Sequence, residues 1–166
     1  MKKIILTLMC GFFALLTVAL TSPTQAEAAL KDLDSTIVSE YIETLEDGSY
    51  FHVIVSELAS PSESRSVQTQ RGSREITYHD ANGVALWKYT LYGTFQFIPG
   101  SSAACVSSSY SVDIYDSSWE SSYVSATKSG NQAIGDATFI KKVLLITTQT
   151  ENIHITLSCS AYGTLS

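Results

Sequence analysis

Aromatic residues are the side chains of this sequence with the widest scope for binding chemistry. Within the segment 84–98, Trp87 and Tyr89 stand two residues apart and Tyr92 follows, while Trp119 lies farther along the chain. Flat aromatic rings stack on the apolar faces of sugars, but they also fill protein cores. The sequence therefore predicts either an exposed ligand platform that includes these four residues or a core filled by the large aromatic rings.

Groups that catalyse hydrolysis are sparse and poorly spaced. The Gly-x-Ser-x-Gly elbow of serine hydrolases does not occur in the sequence. Asp113, Asp116 and Glu120 are the carboxylates closest to the spacing that glycoside chemistry needs, but they border a predicted turn and nothing marks them as buried. We therefore predict no catalytic residues and a protein that is not an enzyme.

Metal-ligating residues are also scattered. His52, His79 and His154 are the three histidines, and no two of them have the spacing of metal ligands. Each alternates with apolar residues, as a solvent-facing strand residue does. The sequence predicts no metal site and no cofactor.

The cysteines indicate a covalent link. Cys10 lies inside an apolar N-terminal run and is expected to be removed with it, which leaves Cys105 and Cys159. An exported domain with an even pair of cysteines predicts one disulfide between them. The alternative is a pair of free, buried thiols.

The N-terminus has the layout of a secretory signal peptide. A basic start precedes an apolar run over 4–20, and Ala26 and Ala28 place small side chains where a signal peptidase reads. Cleavage after Ala28 assigns residues 1–28 to the signal and 29–166 to a single secreted, extracellular domain. The alternatives are cleavage after Ala26 and an uncleaved anchor, for which the run is near the lower length limit.

The remainder of the chain alternates strand-like runs with turn residues, which predicts an all-β domain. Asp47-Gly48 and Asn82-Gly83 are hairpin signals, and Gly93 indicates a bulge or bend in a long strand over 84–98. Further strands are predicted at 41–45, 50–55, 75–79, 103–106, 110–115, 119–126, 133–141 and 147–160. Their spacing favours an immunoglobulin-like antiparallel β-sandwich, with a small β-barrel as the alternative.

Two segments are ambiguous. Residues 59–74 are rich in serine and arginine and hold almost no apolar side chain, so we predict a mobile loop there. The segment 35–45 fits a helix as well as a strand, with Ser35 as its cap.

Charge limits the partners. The 166 residues include 10 Lys+Arg and 16 Asp+Glu, for a formal net charge of -6. A protein that binds a phosphate backbone needs a basic stripe, so nucleic acid is excluded as an expected partner. The same charge disfavours anionic surfaces, and no later segment could span a bilayer, so no membrane partner is expected after signal removal.

Several different short motifs follow one another along the chain. It comprises Trp87-x-Tyr89, Tyr92-Gly93-Thr94-Phe95, Ser102-x-x-Cys105, Tyr115-Asp116-Ser117-Ser118-Trp119, Ser129-Gly130-Asn131, Thr156-Leu157-Ser158-Cys159 and Gly163-Thr164-Leu165-Ser166. This order resembles a group of small secreted proteins of Gram-positive bacteria that has no established activity. The resemblance implies a β-sandwich with one disulfide and brings no catalytic residues.

The function predicted from these observations is binding outside the cell. We expect a secreted, non-enzymatic binding or interaction module whose ligand is a carbohydrate, a cell-wall polymer or a protein. One alternative is a secreted toxin or antimicrobial-type effector, which the negative charge disfavours. The other is a hydrolase with an unrecognised site, which would require clustered acids with shifted pKa values.

Overall fold

Residues 35–59 and 66–166 are described by the computed structural model, and both ranges belong to one unit, Asp32–Ser166. This part of the chain is all-β, as predicted. Its strands are β1 Ser35–Thr44, β2 Tyr50–Leu58, β3 Gln68–His79, β4 Ala85–Ile98, β5 Ser102–Ile114, β6 Trp119–Ser129, β7 Gln132–Val143 and β8 Ile146–Ser158. The predicted signal peptide lies outside the described residues, within which no helix has the length and hydropathy to cross a membrane.

The strands form two antiparallel sheets. One sheet has the order β1-β2-β3-β4-β5 and the other β6-β7-β8, so within each sheet every strand pairs with its neighbours in sequence, and the chain passes between the sheets from β5 to β6. The predicted hairpin signals explain this order, because Gly48 and Gly83 both take φ of 84° and close turns between adjacent strands. The sequential order differs from the predicted immunoglobulin-like arrangement, in which Greek-key connections interleave the strands.

The core lies between the two sheets. The alternation predicted for β4 places Trp87, Tyr89, Leu91 and Phe95 on its inner face, and all four are fully buried. The Trp87 ring stacks on Phe139 of β7, with centroids 3.9 Å apart and planes 9° apart. These contacts pack the sheets face to face as a two-layer sandwich.

Two boundaries differ from the sequence predictions. β3 begins at Gln68 and pairs with β4 along its whole length, so the second half of the predicted loop 59–74 is strand. Residues 60–65 of that loop lie outside the described ranges. β5 is one continuous strand where two short ones were predicted, and the predicted bulge is confirmed by a register shift at Thr94/Phe95, next to Gly93.

The predicted disulfide is wrong in this structure, where Cys105 and Cys159 are free and buried. The two thiols turn towards different carbonyls: Cys105 Sγ donates to Ser107 O at 3.2 Å and Cys159 Sγ to Ser160 O at 3.5 Å. Burial raises the pKa of Cys105, and it raises the pKa of Cys159 to about 11. The alternative of two buried thiols is the arrangement found.

Candidate functional site

The aromatic residues predicted as a ligand platform are buried. Trp87, Tyr89 and Trp119 lie in the core between the sheets, and Tyr92 is buried on the opposite face of β4, where its hydroxyl lies 3.4 Å from Ser111 Oγ. The Tyr89 hydroxyl donates a hydrogen bond to Ser125 O at 2.8 Å, and burial raises the pKa of Tyr89. None of the four presents the open ring face that stacking on a sugar requires.

The histidines have different main partners, although the ring centroids of His52 and His79 lie 6.3 Å apart. His52 Nε2 lies 2.6 Å from Glu40 Oε1, and the His79 ring stacks on Tyr50 with centroids 4.6 Å apart. His154 lies in the smaller sheet, where it borders the groove described below. In the described ranges, no group of three or more His, Cys, Asp or Glu side chains is arranged to hold a metal ion.

The candidate acids contact different groups. Asp113 Oδ2 lies 3.5 Å from Lys88 Nζ, and Asp116 accepts a hydrogen bond from the Ser118 backbone N–H at 2.9 Å. Hydrogen bonds from Ser118 lower the pKa of Asp116, so its carboxylate stays ionised and is a poor proton donor near neutral pH. Glu120 is exposed and pairs with a lysine of β7. The geometry favours structural roles for these carboxylates.

The open edge of β8 offers a different kind of site. Ser158 donates to Ser166 O at 2.8 Å and accepts from Ser166 N at 3.1 Å, so its backbone groups turn away from β7. The Thr156 carbonyl also faces outwards, because it accepts a 2.8 Å hydrogen bond from an arginine of the other sheet. Since backbone direction alternates with period two in an antiparallel pair, His154 and Asn152 present their N–H and C=O groups to the same open side.

A groove of about 490 Å³ runs beside this edge, between β8 and the first three strands. Its apolar floor includes Phe51, Val53 and Ile76, which project from the inner face of the larger sheet. Arg74 bridges one end, because it donates to the Tyr41 hydroxyl at 2.8 Å and to the β8 backbone. The groove therefore combines an apolar floor with a row of backbone hydrogen-bonding groups.

Polar side chains form the rim of the groove. Glu43 lines it from β1, and Asn152 and His154 line it from β8. His154 Nδ1 lies 2.6 Å from Asp136 Oδ1, while Thr138 Oγ1 lies 3.0 Å from Asn152 Oδ1. These cross-strand pairs fix the two β8 side chains on the outer face of the smaller sheet.

A shallower depression continues from the groove onto that outer face. It has a volume of about 310 Å³ and shares Asn152, Ile153 and His154 with the groove. Tyr123 borders it and is exposed. A ligand lying along β8 can thus contact the apolar floor on one side and a tyrosine ring on the other.

The chain itself already pairs with one end of the β8 edge. The C-terminal segment forms an antiparallel bridge between Leu165 and Cys159, next to the Ser166 pairing with Ser158. Leu165 is buried against Gly72, where an added Cβ would lie 2.2 Å from Leu165 Cδ1. This edge therefore accepts an extended segment and buries one of its side chains between the sheets.

The chain matches no protein-family model, no curated protein and no solved structure at a significant level. The resemblance to small secreted Gram-positive proteins stays a prediction, and the site is defined by geometry alone.

Sequence reasoning missed this groove. The alternation of Asn152, His154 and Thr156 with isoleucine and leucine identifies β8 as half-buried, but not as the outer strand of its sheet. Arg74 falls in the segment predicted as a loop, so its position on an inner strand face was not foreseen. The one available signal was Arg74 itself, which shares the parity of the inward-facing Ile76 once β3 is extended back to Gln68.

Proposed function

We propose that this protein is a secreted, non-enzymatic binding module that captures an extended peptide segment as an added strand on the open edge of β8. The observation that carries the proposal is the open β8 edge beside the groove, where the Thr156 carbonyl faces outwards and strand alternation turns the backbone groups of Asn152 and His154 to the same side. Strand addition of this kind takes affinity from main-chain hydrogen bonds and specificity from pockets for alternate side chains.

The dimensions of the groove suit a short extended segment. From Asn152 to Thr156 the strand extends about 14 Å, at about 3.4 Å per residue. Alternate ligand side chains would point to opposite faces, one set onto the floor at Phe51 and Val53 and the other towards Tyr123. This favours ligands that alternate apolar and polar residues over rigid sugar chains.

Charge sets a further preference. Glu43 stands on the groove rim, while the Arg74 guanidinium is engaged by the Tyr41 hydroxyl and by the Thr156 carbonyl. With a net charge of -6 on the whole chain, basic peptides should associate faster than acidic ones. We expect this preference to weaken as salt is added.

A pair of substitutions at one position tests strand addition. His154→Pro removes the outward N–H but no hydrogen bond to β7, since edge strands tolerate proline where the N–H faces solvent. His154→Ala is the matched control, because it removes the same side chain and keeps the N–H. On an array of short peptides printed beside glycans, we expect the unmodified protein and His154→Ala to bind peptides and His154→Pro to lose at least about tenfold in affinity.

Other outcomes of that array would contradict the proposal. Equal binding by both variants would show that the β8 backbone takes no part, and binding to glycans alone would place the ligand in another class. The secreted location has a separate test, because mass spectrometry of exported protein should find a chain that begins at residue 29. An intact N-terminus on protein retained in the cell would refute export.

A further inference from the structure

The turn between β7 and β8 is the most exposed apolar segment of the described chain. Val143, Leu144, Leu145 and Ile146 are 50%, 91%, 94% and 68% exposed, respectively. We call these four residues the apolar tip. Single exposed apolar residues are ordinary on protein surfaces, but a run of four at the end of a hairpin indicates a surface that meets something apolar.

The backbone of the tip does not explain its sequence. Leu144 and Leu145 take φ of 49° and 69°, in the left-handed region. Two-residue hairpin turns with both residues at positive φ favour Asn-Gly, and a leucine there is strained by its Cβ. Residues held in such conformations concentrate at functional sites. The leucines are therefore unfavourable for turn formation, which suggests that they are present for contact.

The tip projects beyond the sheet that carries it. The last pairing of β6 with β7 joins Trp119 to Lys141, and Lys142 N donates to Ser118 O at 2.8 Å. The apolar tip follows immediately, so β6 does not flank it. Tyr115 is exposed in the adjoining β5–β6 turn. The tip is therefore an apolar projection at the end of a hairpin. A projection of this kind offers no groove for a strand or helix, and it suits insertion into a lipid phase.

We propose that the apolar tip inserts into the interfacial region of a lipid bilayer and holds the binding module at a membrane surface. This function is independent of the β8 groove. Lys141 and Lys142 directly precede the tip in the sequence and Tyr115 is exposed in the β5–β6 turn, and lysine and tyrosine are residue types that suit the membrane interface.

The charges near the tip favour a zwitterionic lipid, such as phosphatidylcholine, over an anionic one. Lys142 is paired with Glu120, Lys141 Nζ lies 6.0 Å from the centroid of the Trp119 ring, and the chain carries a net charge of -6. Burial of apolar side chains, rather than attraction to anionic lipid, must then drive insertion. The sequence-based expectation of no membrane partner considered anionic surfaces and spanning segments, whereas shallow insertion of an apolar hairpin end requires neither.

Fluorescence gives a direct readout of insertion. Leu145→Trp places a reporter in the tip, and Ile42→Trp places one at an exposed apolar position of β1 as the matched control. With phosphatidylcholine vesicles, we expect a blue shift and quenching by brominated lipid for Leu145→Trp only. No spectral change for Leu145→Trp, or the same change for both variants, would overturn the proposal.

A second variant separates insertion from stability. Leu144→Asn combined with Leu145→Gly supplies the favoured turn residues, so its melting temperature should be equal to or above that of the unmodified chain. Both proteins carry the same N-terminus, and their difference in co-sedimentation with phosphatidylcholine vesicles reports the tip. We expect the double variant to lose at least about tenfold in vesicle binding. Equal sedimentation, or self-association of the unmodified chain that the variant loses while neither binds vesicles, would overturn the proposal.

Discussion

The stacked rings of Trp87 and Phe139 join the two sheets at the centre of the core. Their centroids are 3.9 Å apart, both side chains are fully buried, and Trp119 meets Trp87 edge-on at 6.3 Å. Offset stacked and edge-on pairs add to the free energy gained by burial. The contact between the sheets therefore depends on a few large rings.

Phe139→Ala tests that dependence. Removal of the ring leaves a cavity against Trp87, and we expect a loss of about 3–5 kcal/mol in the free energy of unfolding. Tyr123→Ala, at an exposed position of the neighbouring strand, should change stability by less than about 0.5 kcal/mol. Urea denaturation followed by tryptophan fluorescence measures both, and equal effects would contradict the assigned core.

The two thiols provide a second test at this scale. Cys105 and Cys159 are free and buried, and burial raises the pKa of Cys159 to about 11. Because the thiolate is the reactive form, iodoacetamide at pH 8 should modify neither residue in the folded protein. Without reductant, both should react once the protein is unfolded, which peptide mapping would locate. Two unreactive residues in the unfolded chain would instead establish a disulfide.

At the residue scale, the sequence predicted which side chains share a strand face, but it did not predict what surrounds them. Alternation along β4 correctly separated Trp87 and Tyr89 from Lys88, yet it could not distinguish a core from a platform, since both faces of a strand can carry rings. The pairing of the cysteines was inferred from their number. Number says nothing about the direction in which each Sγ points, and the structure turns the thiols towards different carbonyls.

At the scale of elements, close contact between β4 and β7 requires a glycine. A Cβ added at Gly135 would lie 2.4 Å from the Tyr89 hydroxyl oxygen and 2.9 Å from its ring. The same hydroxyl donates to Ser125 O of β6, so the ring cannot move away without loss of that bond. The missing side chain of Gly135 thus leaves the space on β7 that the Tyr89 ring of the facing sheet occupies.

Gly135→Ala should therefore lower the free energy of unfolding by about 1–3 kcal/mol through overpacking. Thr127→Ala, at an exposed site of β6, is the control and should stay within about 0.5 kcal/mol of the unmodified chain. Calorimetric melting of both variants measures the difference. A neutral Gly135→Ala would mean that the Tyr89 ring has room to shift.

Turn chemistry decided which elements were predictable. The hairpins closed by Gly48 and Gly83 were predicted correctly, because their residues favour positive φ. The β7–β8 turn has Leu144 and Leu145 in the same conformation, and no turn rule predicts it. The start of β3 was missed for a different reason. Its inner-facing residues include Gln70 and Gly72, so it lacks the apolar alternation of a half-buried strand.

At the scale of the whole molecule, the sequential strand order makes the first and last strands, β1 and β8, outer strands of different sheets, as β5 and β6 are at the other ends. The β1 edge carries Glu40 and Glu43 and a register shift at Ile37/Ser39, all of which discourage pairing with other chains. The β8 edge is covered only in part by Ser166 and Arg74, and the groove adjoins the remainder. Sequence patterns cannot identify these edges, because edge status depends on the order of all the strands.

Amide hydrogen exchange along β8, with and without a peptide selected on the array, tests strand addition most directly. The free protein should exchange the outward amides of Asn152 and His154 quickly and the β7-bonded amides of Ile153 and Ile155 slowly. Bound peptide should slow the outward pair and leave the inward pair unchanged. Outward amides that still exchange at their free rate in the bound complex would contradict the account.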